Sequence, residues 1–430
     1  MRIAVVGGGI SGLGAAWALH DVHEVTLFES ESRLGGHANT VEVDGVPVDT
    51  GFIVFNERNY PNFTALLAHL GVASDASDMS FSVSDPAGFE WSSGGLSGMF
   101  AWKRNCASPA FLAMLTDIMR FNSAARADVA RGALSGETLA EYVARLRLSP
   151  QFLQNYLLPM GAAIWSTPER EMLAYPAASF LSFFDNHRLL HTQDRIQWRT
   201  VSGGSRVYVE SLRKVLGACV RAGEPALAVK RDDVGAQVRT RSGVYDFDQV
   251  VLACHSDQAL ALLSDAAPSE QAALGAIRYA PNTAWLHTDE KLMPKRRAAW
   301  ASWNYLRGNG DGKVCVSYWM NRLQRLSTHR QIFVTLNPSA PPDGASTFGR
   351  FAYDHPQFDT AALAAQKAIK AMQGARRTWF AGAWLGHGFH EDGLCSALSV
   401  AQRLGARLPW RLTASKPEQT RAPAIATVAA

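Results

Sequence analysis

Gly7, Gly9 and Gly12 stand in the spacing GxGxxG, directly after the apolar run of residues 2–6. Each glycine meets a steric need of a backbone that holds a diphosphate. Gly7 permits a tight turn, Gly9 lets the main chain approach a phosphate, and Gly12 lets the next helix lie close to the strand. Ile10 and Ser11 complete the turn, so their N–H groups and the helix dipole face the anion. Seventeen residues after Gly12, Glu29 ends a second apolar run, where a carboxylate accepts hydrogen bonds from a ribose 2′-OH. Just beyond it, Arg33-Leu34-Gly35-Gly36 adds a guanidinium whose planar fork matches phosphate, and two more glycines. Proton-transfer chemistry has fewer candidates: His287, His387 and His390 are of the side-chain type that serves as acid or base. His187, Trp165, Tyr318 and Trp319 lie in aromatic stretches that read as substrate-facing. No metal site is expected, because His387 and His390 have neither an HExxH frame nor a third clustered ligand.

The elements that must carry these residues follow from periodicity. Residues 2–6, the turn, a helix over 11–20 and a strand over 24–29 make a βαβ beginning. Helices are expected over 62–71, 110–131 and 137–160, the last ending at Pro159. Aromatic residues and methionine are dense from about 75 to 200 and strand alternation is sparse, which predicts a largely helical insertion. Residues 201–256 return to the first style with a Gly203-Gly204 turn, a helix and the strand Val250-Val251-Leu252-Ala253. Residues 277–350 alternate like antiparallel strands of a second sheet, and 378–410 hold one more strand and a helix. The expected division is a nucleotide-binding domain of residues 1–74, 201–276 and 351–411, a substrate domain of 75–200 and 277–350, and a disordered tail over 412–430 rich in Ala, Pro, Thr and Ser.

Composition agrees with a globular chain of two interleaved domains: 430 residues, 47 % hydrophobic and 19 % charged. The net charge of +4 is spread along the chain and does not indicate nucleic acid. Cys106, Cys219, Cys254, Cys315 and Cys395 are odd in number and never form CxxC, so disulfides and zinc are both unsupported and a reducing, cytoplasmic setting is expected. The apolar start is expected to be a strand rather than a signal peptide, because the glycines from position 7 would break an apolar core. No run reaches the roughly 18 apolar residues of a spanning helix; peripheral contact at the inner membrane face stays open.

The turn at 7–12, the Arg33–Gly36 segment and the C-terminal Trp379-Phe380-Ala381-Gly382-Ala383 and Glu391-Asp392-Gly393-Leu394 together resemble the flavin amine oxidase superfamily, which includes protoporphyrinogen oxidases and carotenoid desaturases. The resemblance implies an α/β fold, with a Rossmann-like FAD-binding domain of the GR2 type and a discontinuous α+β substrate domain containing the helical insertion. It implies FAD held by Gly7, Gly9, Gly12, Glu29, Arg33, Gly35, Gly36 and Gly382, with Val229 touching adenine through its backbone. Asp392 would face the ribityl chain, and the N–H of Leu394 would stabilise negative charge on the reduced ring. No Cys stands in a Gly-Gly-Cys setting, so FAD is expected to be non-covalent. Longer stretches, among them Gln197-Trp198-Arg199-Thr200-Val201-Ser202-Gly203-Gly204 and Tyr318-Trp319-Met320-Asn321-Arg322, resemble a bacterial branch akin to the flavoprotein domain associated with cyclopropane fatty acid synthases. That branch implies a lipid or fatty-acyl substrate, methyl-branched chains on the way to furan fatty acids included, and a functional link to a fatty-acyl methyltransferase. Many amine oxidases present a lysine beside the flavin, whereas residues 282–289 here offer His287 and no lysine before Lys291. Dehydrogenation of a lipid-like chain is therefore the leading expectation. An oxygen-using amine or porphyrinogen oxidase and a non-redox flavoprotein partner of a methyltransferase are the alternatives.

Overall fold

The computed structural model describes residues 1–134, 136–165, 168–191, 196–308 and 314–413. Its first layer is a five-stranded parallel sheet in the order Thr378–Phe380, Gln249–Leu252, Arg2–Val6, Glu24–Glu29, Val220–Ala222. Ile3, Ala4, Val5 and Val6 are all buried, as a central parallel strand covered on both faces requires. Val5 sits opposite Val251 on one side and Leu27 on the other. The helix Ile10–Leu19 follows the glycine turn and packs against the last helix, His390–Arg403. That approach depends on Gly14, where a Cβ would fall 2.7 Å from Leu394 Cδ1. Segments from the first twenty residues and from 390–403 therefore meet beside the turn.

The second layer is a seven-stranded mixed sheet in the order Thr347–Pro356, Tyr279–His287, Phe333–Leu336, Cys315–Trp319, Trp303–Leu306, Phe81–Ser84, Glu90–Ser92. Two of its strands come from the stretch expected to be helical. Phe81-Ser82-Val83-Ser84 does alternate, but over only four residues, and it gains its place by pairing in parallel with Trp303–Leu306. The expected boundary at 350/351 falls inside one strand, Thr347–Pro356, which pairs along its whole length with Tyr279–His287. A small sheet of Ala228–Arg231, Ala236–Arg239 and Val244–Phe247 stands apart from both.

The helical insertion brings a correction at Pro159. The helix does not end there: a π-helical turn, Leu153–Leu157, leads into Leu158–Trp165 with Pro159 in its second position. Proline has no N–H, so the carbonyl of Asn155 lacks its helical donor. The indole of Trp91 supplies one, Nε1 donating to that oxygen at 2.9 Å. The freed carbonyl of Gln154 is taken by the Arg307 guanidinium.

Of the expected tail, residues 414–430 lie outside the described residues. Its first residues are docked: the Thr413 carbonyl accepts from Asn62 Nδ2 at 2.7 Å and from Cys395 Sγ at 3.1 Å. Among the described residues no helix is long and apolar enough to cross a membrane.

Candidate cofactor and substrate cavity

A single cavity of about 970 Å³ runs from the glycine turn to the face of the seven-stranded sheet. At the turn, Gly7 has φ +107°, and any Cβ there would lie 2.9 Å from the Ala253 carbonyl oxygen. A Cβ on Gly12 would lie 1.7 Å from the Gly7 oxygen, so this glycine sets the contact between helix and strand although it does not line the cavity. Gly9 is the reverse case: among the described residues nothing lies within 4 Å of a Cβ built there. It caps the helix without a side-chain hydrogen bond, which leaves the first N–H groups, those of Ile10 and Ser11 included, open to an anion in the cavity they line. These features fit a diphosphate.

The Arg33–Gly36 loop is zipped onto the turn, with the Gly35 N–H donating to the Gly8 carbonyl at 2.8 Å. Gly35 and Gly36 both adopt positive φ, +107° and +55°, in this close approach. Arg33 lines the cavity and braces its own loop, donating to the Gly36 carbonyl at 2.9 Å and to Glu31 at 3.0 Å. Glu29 is held from both sides: Oε2 accepts the Gly8 N–H at 2.6 Å and Oε1 the Glu31 N–H at 2.8 Å. Ser30 Oγ also donates to Oε1 at 2.9 Å; a carboxylate has lone pairs to spare beyond these three bonds, and it faces the cavity.

The C-terminal segment contributes differently from expectation. Gly382 lines the cavity, its N–H donating to Ser396 Oγ at 2.9 Å. Asp392 does not line it. Its Oδ2 accepts the N–H groups of His387 and Phe389 at 3.1 and 3.0 Å, so the carboxylate shapes the 386–389 turn rather than facing a ligand. Leu394 is buried against Gly14, and as the fifth residue of its helix it lies past the first orphan N–H groups. Val229 is also buried off the cavity, its carbonyl accepting from the Ser264 N–H at 3.0 Å, while Ala226 and Leu227 form the wall nearby.

Of the proposed acid–base residues, His287 is displaced. Ala284 lines the cavity, and three residues further along a strand of period two the side chain lies on the opposite face. There His287 accepts the Asp289 N–H at Nδ1 (3.0 Å) and donates from Nε2 to Thr335 (2.7 Å), a buried neutral ring pushed down to about 4 by desolvation. Lys291 sits on the turn Glu290–Leu292, and among the described residues no lysine lines the cavity. His390 does line it, stacked on Phe52 at 3.7 Å and bonded through Nε2 to Tyr208 Oη at 2.8 Å. Burial, then the nearby His37, pushes it down to about 3. His387 does not line the cavity, and its nearness disfavours protonation of His187.

Three further histidines, unremarked in the sequence, meet in the cavity. His37 lies 6.2 Å from His255 and 5.8 Å from His355, ring centre to ring centre, with Tyr353 at 5.0 Å. His37 is pushed down to about 3, first by burial and then by His355, His255 and Arg33. His355 is pushed to about 4, and His255 is also lowered. His37 directly follows Gly36, which is the one local signal; residues 255 and 355 arrive through the fold. Among the described residues no cluster has a metal-binding arrangement.

Away from the turn the cavity becomes apolar. Its floor is one cross-strand row, Phe81 opposite Trp303, Trp303 opposite Tyr318, Tyr318 opposite Val334. Directly opposed residues share a face, and all four line the cavity. Facing walls come from Met160, Ala163 and Ile164, one face of the helix Leu158–Trp165, and from Phe183 and His187. Trp165 packs instead into the helical core, and Trp319 turns away to bond Gln331 through Nε1 at 2.8 Å. His187 stacks on Phe183 at 3.9 Å and donates from Nδ1 to the Phe183 carbonyl, which leaves Nε2 without a proton.

Comparison with known proteins agrees with this geometry. A short stretch is 47 % identical over 73 residues to a coproporphyrinogen III oxidase of Mycobacterium tuberculosis (strain ATCC 25618 / H37Rv), covering 16 % of either chain. A probable zeta-carotene desaturase of Synechococcus elongatus is 38 % identical over 73 residues, 16 % of this chain and 15 % of that one. Among solved structures, a CLA-producing fatty acid isomerase from P. acnes matches with TM-score 0.68 at 14 % identity over 94 % of this chain and 99 % of that one. A putrescine oxidase bound to putrescine matches with TM-score 0.70 at 15 % identity over 95 % and 100 %. At such identities the structural matches establish the fold. The model of the family described as flavin containing amine oxidoreductase matches residues 10–405, and the chain belongs to that family of flavin-dependent oxidoreductases.

Proposed function

We propose that this chain binds FAD non-covalently and dehydrogenates a lipid-like substrate, a modified or methyl-branched fatty acyl chain. The observation that carries the reading is the continuity of one cavity from a phosphate-ready turn to an apolar slot floored by Phe81, Trp303, Tyr318 and Val334. The desaturase and fatty acid isomerase among the similar proteins support a lipid-like substrate. The N–H groups after Gly9 hold the diphosphate, Glu29 accepts from the ribose, and the glycines keep the backbone close. When bound, FAD supplies an acceptor for a hydride equivalent. The sheet floor and helix walls exclude water and hold a chain in one orientation, which is where positioning lowers a barrier. Removing two hydrogens from adjacent carbons also releases a proton; the unprotonated Nε2 of His187, in the same apolar half, relays it, and does not keep it, because burial pushes that ring down to about 4. The link to a fatty-acyl methyltransferase belongs to the same proposal and rests on the sequence resemblance.

The test is anaerobic mixing of the flavin-loaded protein with candidate acyl lipids, followed by the flavin absorption band. Bleaching by acyl chains and not by amines of equal length supports the reading. Bleaching by amines alone overturns it in favour of an amine oxidase.

A further inference from the structure

Within the apolar slot the floor row carries an unpaired polar atom. Among the described residues Tyr318 Oη makes no hydrogen bond, although burial pushes its pKa up and its ring stands edge-on to Trp303 at 4.8 Å. The Trp303 indole N–H is also without a partner, but that atom is sealed inside the protein, whereas the Tyr318 hydroxyl is not. Tyr318 sits between Trp303 and Val334 in the row, so its hydroxyl rises from an otherwise hydrocarbon floor. A hydroxyl that opens onto an apolar cavity, with no protein partner, is placed to bond a ligand that brings an acceptor.

The geometry points to Tyr318 as the residue that fixes the substrate by its oxygen function, donating its O–H to a carbonyl oxygen of an acyl chain lying in the slot. This deepens the lipid reading above and rests on it. A tyrosine hydroxyl donates one well-directed bond to a carbonyl, and a hydrocarbon offers it nothing. An ammonium group would need several acceptors, and this half of the cavity offers one hydroxyl and the Nε2 of His187. Tyr318 therefore selects oxygenated chains over plain hydrocarbons and sets how far along the slot the chain lies, which decides the carbon presented for reaction. The carbonyl can belong to a free fatty acid or to an ester.

The experiment is equilibrium binding to the flavin-loaded protein, read by tryptophan quenching, since Trp303 lines the same row, and by the shift of the flavin band. The probes are a long-chain fatty acid, its methyl ester and the alkane of equal length, each tested against wild type and Tyr318→Phe, which keeps the ring and its packing. The expected result is that acid, ester or both bind wild type about tenfold more tightly than the alkane, and that Tyr318→Phe removes this preference while leaving alkane binding unchanged. A preference for the ester alone identifies the bound oxygen as neutral; a preference for the acid alone identifies it as a carboxylate. Equal binding of all three probes to wild type, or a preference that survives in Tyr318→Phe, overturns the assignment while the lipid reading stands. If none of the probes binds, both fall.

Discussion

A Cβ on Gly12 would sit 1.7 Å from the carbonyl oxygen of Gly7, so the helix that opens the nucleotide site touches the strand beneath it backbone to backbone. The obstructing atom is main chain and cannot rotate away. Gly12→Ala must push the helix outward and misplace the N–H groups after Gly9. We expect destabilisation at the upper end of the about 1–3 kcal/mol typical of overpacking, together with protein that purifies without flavin. Flavin content per chain and a urea titration check both.

Glu29 organises the turn as well as facing the cavity, since its two oxygens hold Gly8 and Glu31. Glu29→Gln keeps one acceptor and replaces the other by a donor that faces another N–H. FAD affinity is expected to fall about tenfold, on the order of 1.4 kcal/mol, with little loss of fold. Titration of the apoprotein with FAD measures it, and unchanged affinity would remove Glu29 from the site.

The Trp91 indole satisfies the carbonyl that Pro159 leaves open. Trp91→Phe strands that carbonyl and is expected to cost about 1–3 kcal/mol. Combining it with Pro159→Ala, which restores an N–H four residues on, recovers part of the loss. Urea unfolding of the two single variants and the double variant gives the coupling; strict additivity would show that the proline does not create the need for the indole.

His37, His187, His355 and His390 are all held below the usual histidine range by burial. In the unfolded chain they take up protons below about pH 6.5, while the folded protein resists until about pH 4 or 3. The unfolded state then binds more protons, so stability falls as pH drops through that window. Asp49 and Glu391, raised to about 6 and about 7 by burial, act in the opposite sense but are fewer. The expected outcome is a lower urea midpoint at pH 5 than at pH 7, and a shallower pH dependence in His355→Gln.

His287 bonds Thr335 and Asp289 on the far face of its strand. His287→Gln is expected to lower stability by about 1–3 kcal/mol and to leave the rate of flavin reduction within twofold. A tenfold loss of rate at unchanged stability would return it to the catalytic residues.

The features legible in the sequence are those built from neighbours along the chain. Gly7 to Gly12, Glu29 and Arg33 to Gly36 act within one βαβ unit, where spacing dictates geometry because a strand, a tight turn and a helix have fixed dimensions. Residue type alone misjudged positions whose facing depends on where an element sits. Asp392 and Leu394 belong to the right helix, but the turn before it and the packing on Gly14 take them away from the cavity. His287 belongs to the right strand, but on its other face.

What only the tertiary structure decided is the substrate half and the histidine group. Phe81 joins Trp303, Tyr318 and Val334 in one floor because the strand Phe81–Ser84, far earlier in the chain, pairs with Trp303–Leu306 at the edge of three successive strands. His37, His255 and His355 meet because the two sheets are brought together beside the glycine turn. Local spacing places strands over 277–350 but not their meeting with Phe81 or with His37, since those are set by pairing and packing over separations of up to hundreds of residues. The sequence by itself therefore determined the glycine turn and the carboxylate beside it, and the assembled sheets decided what lies opposite them.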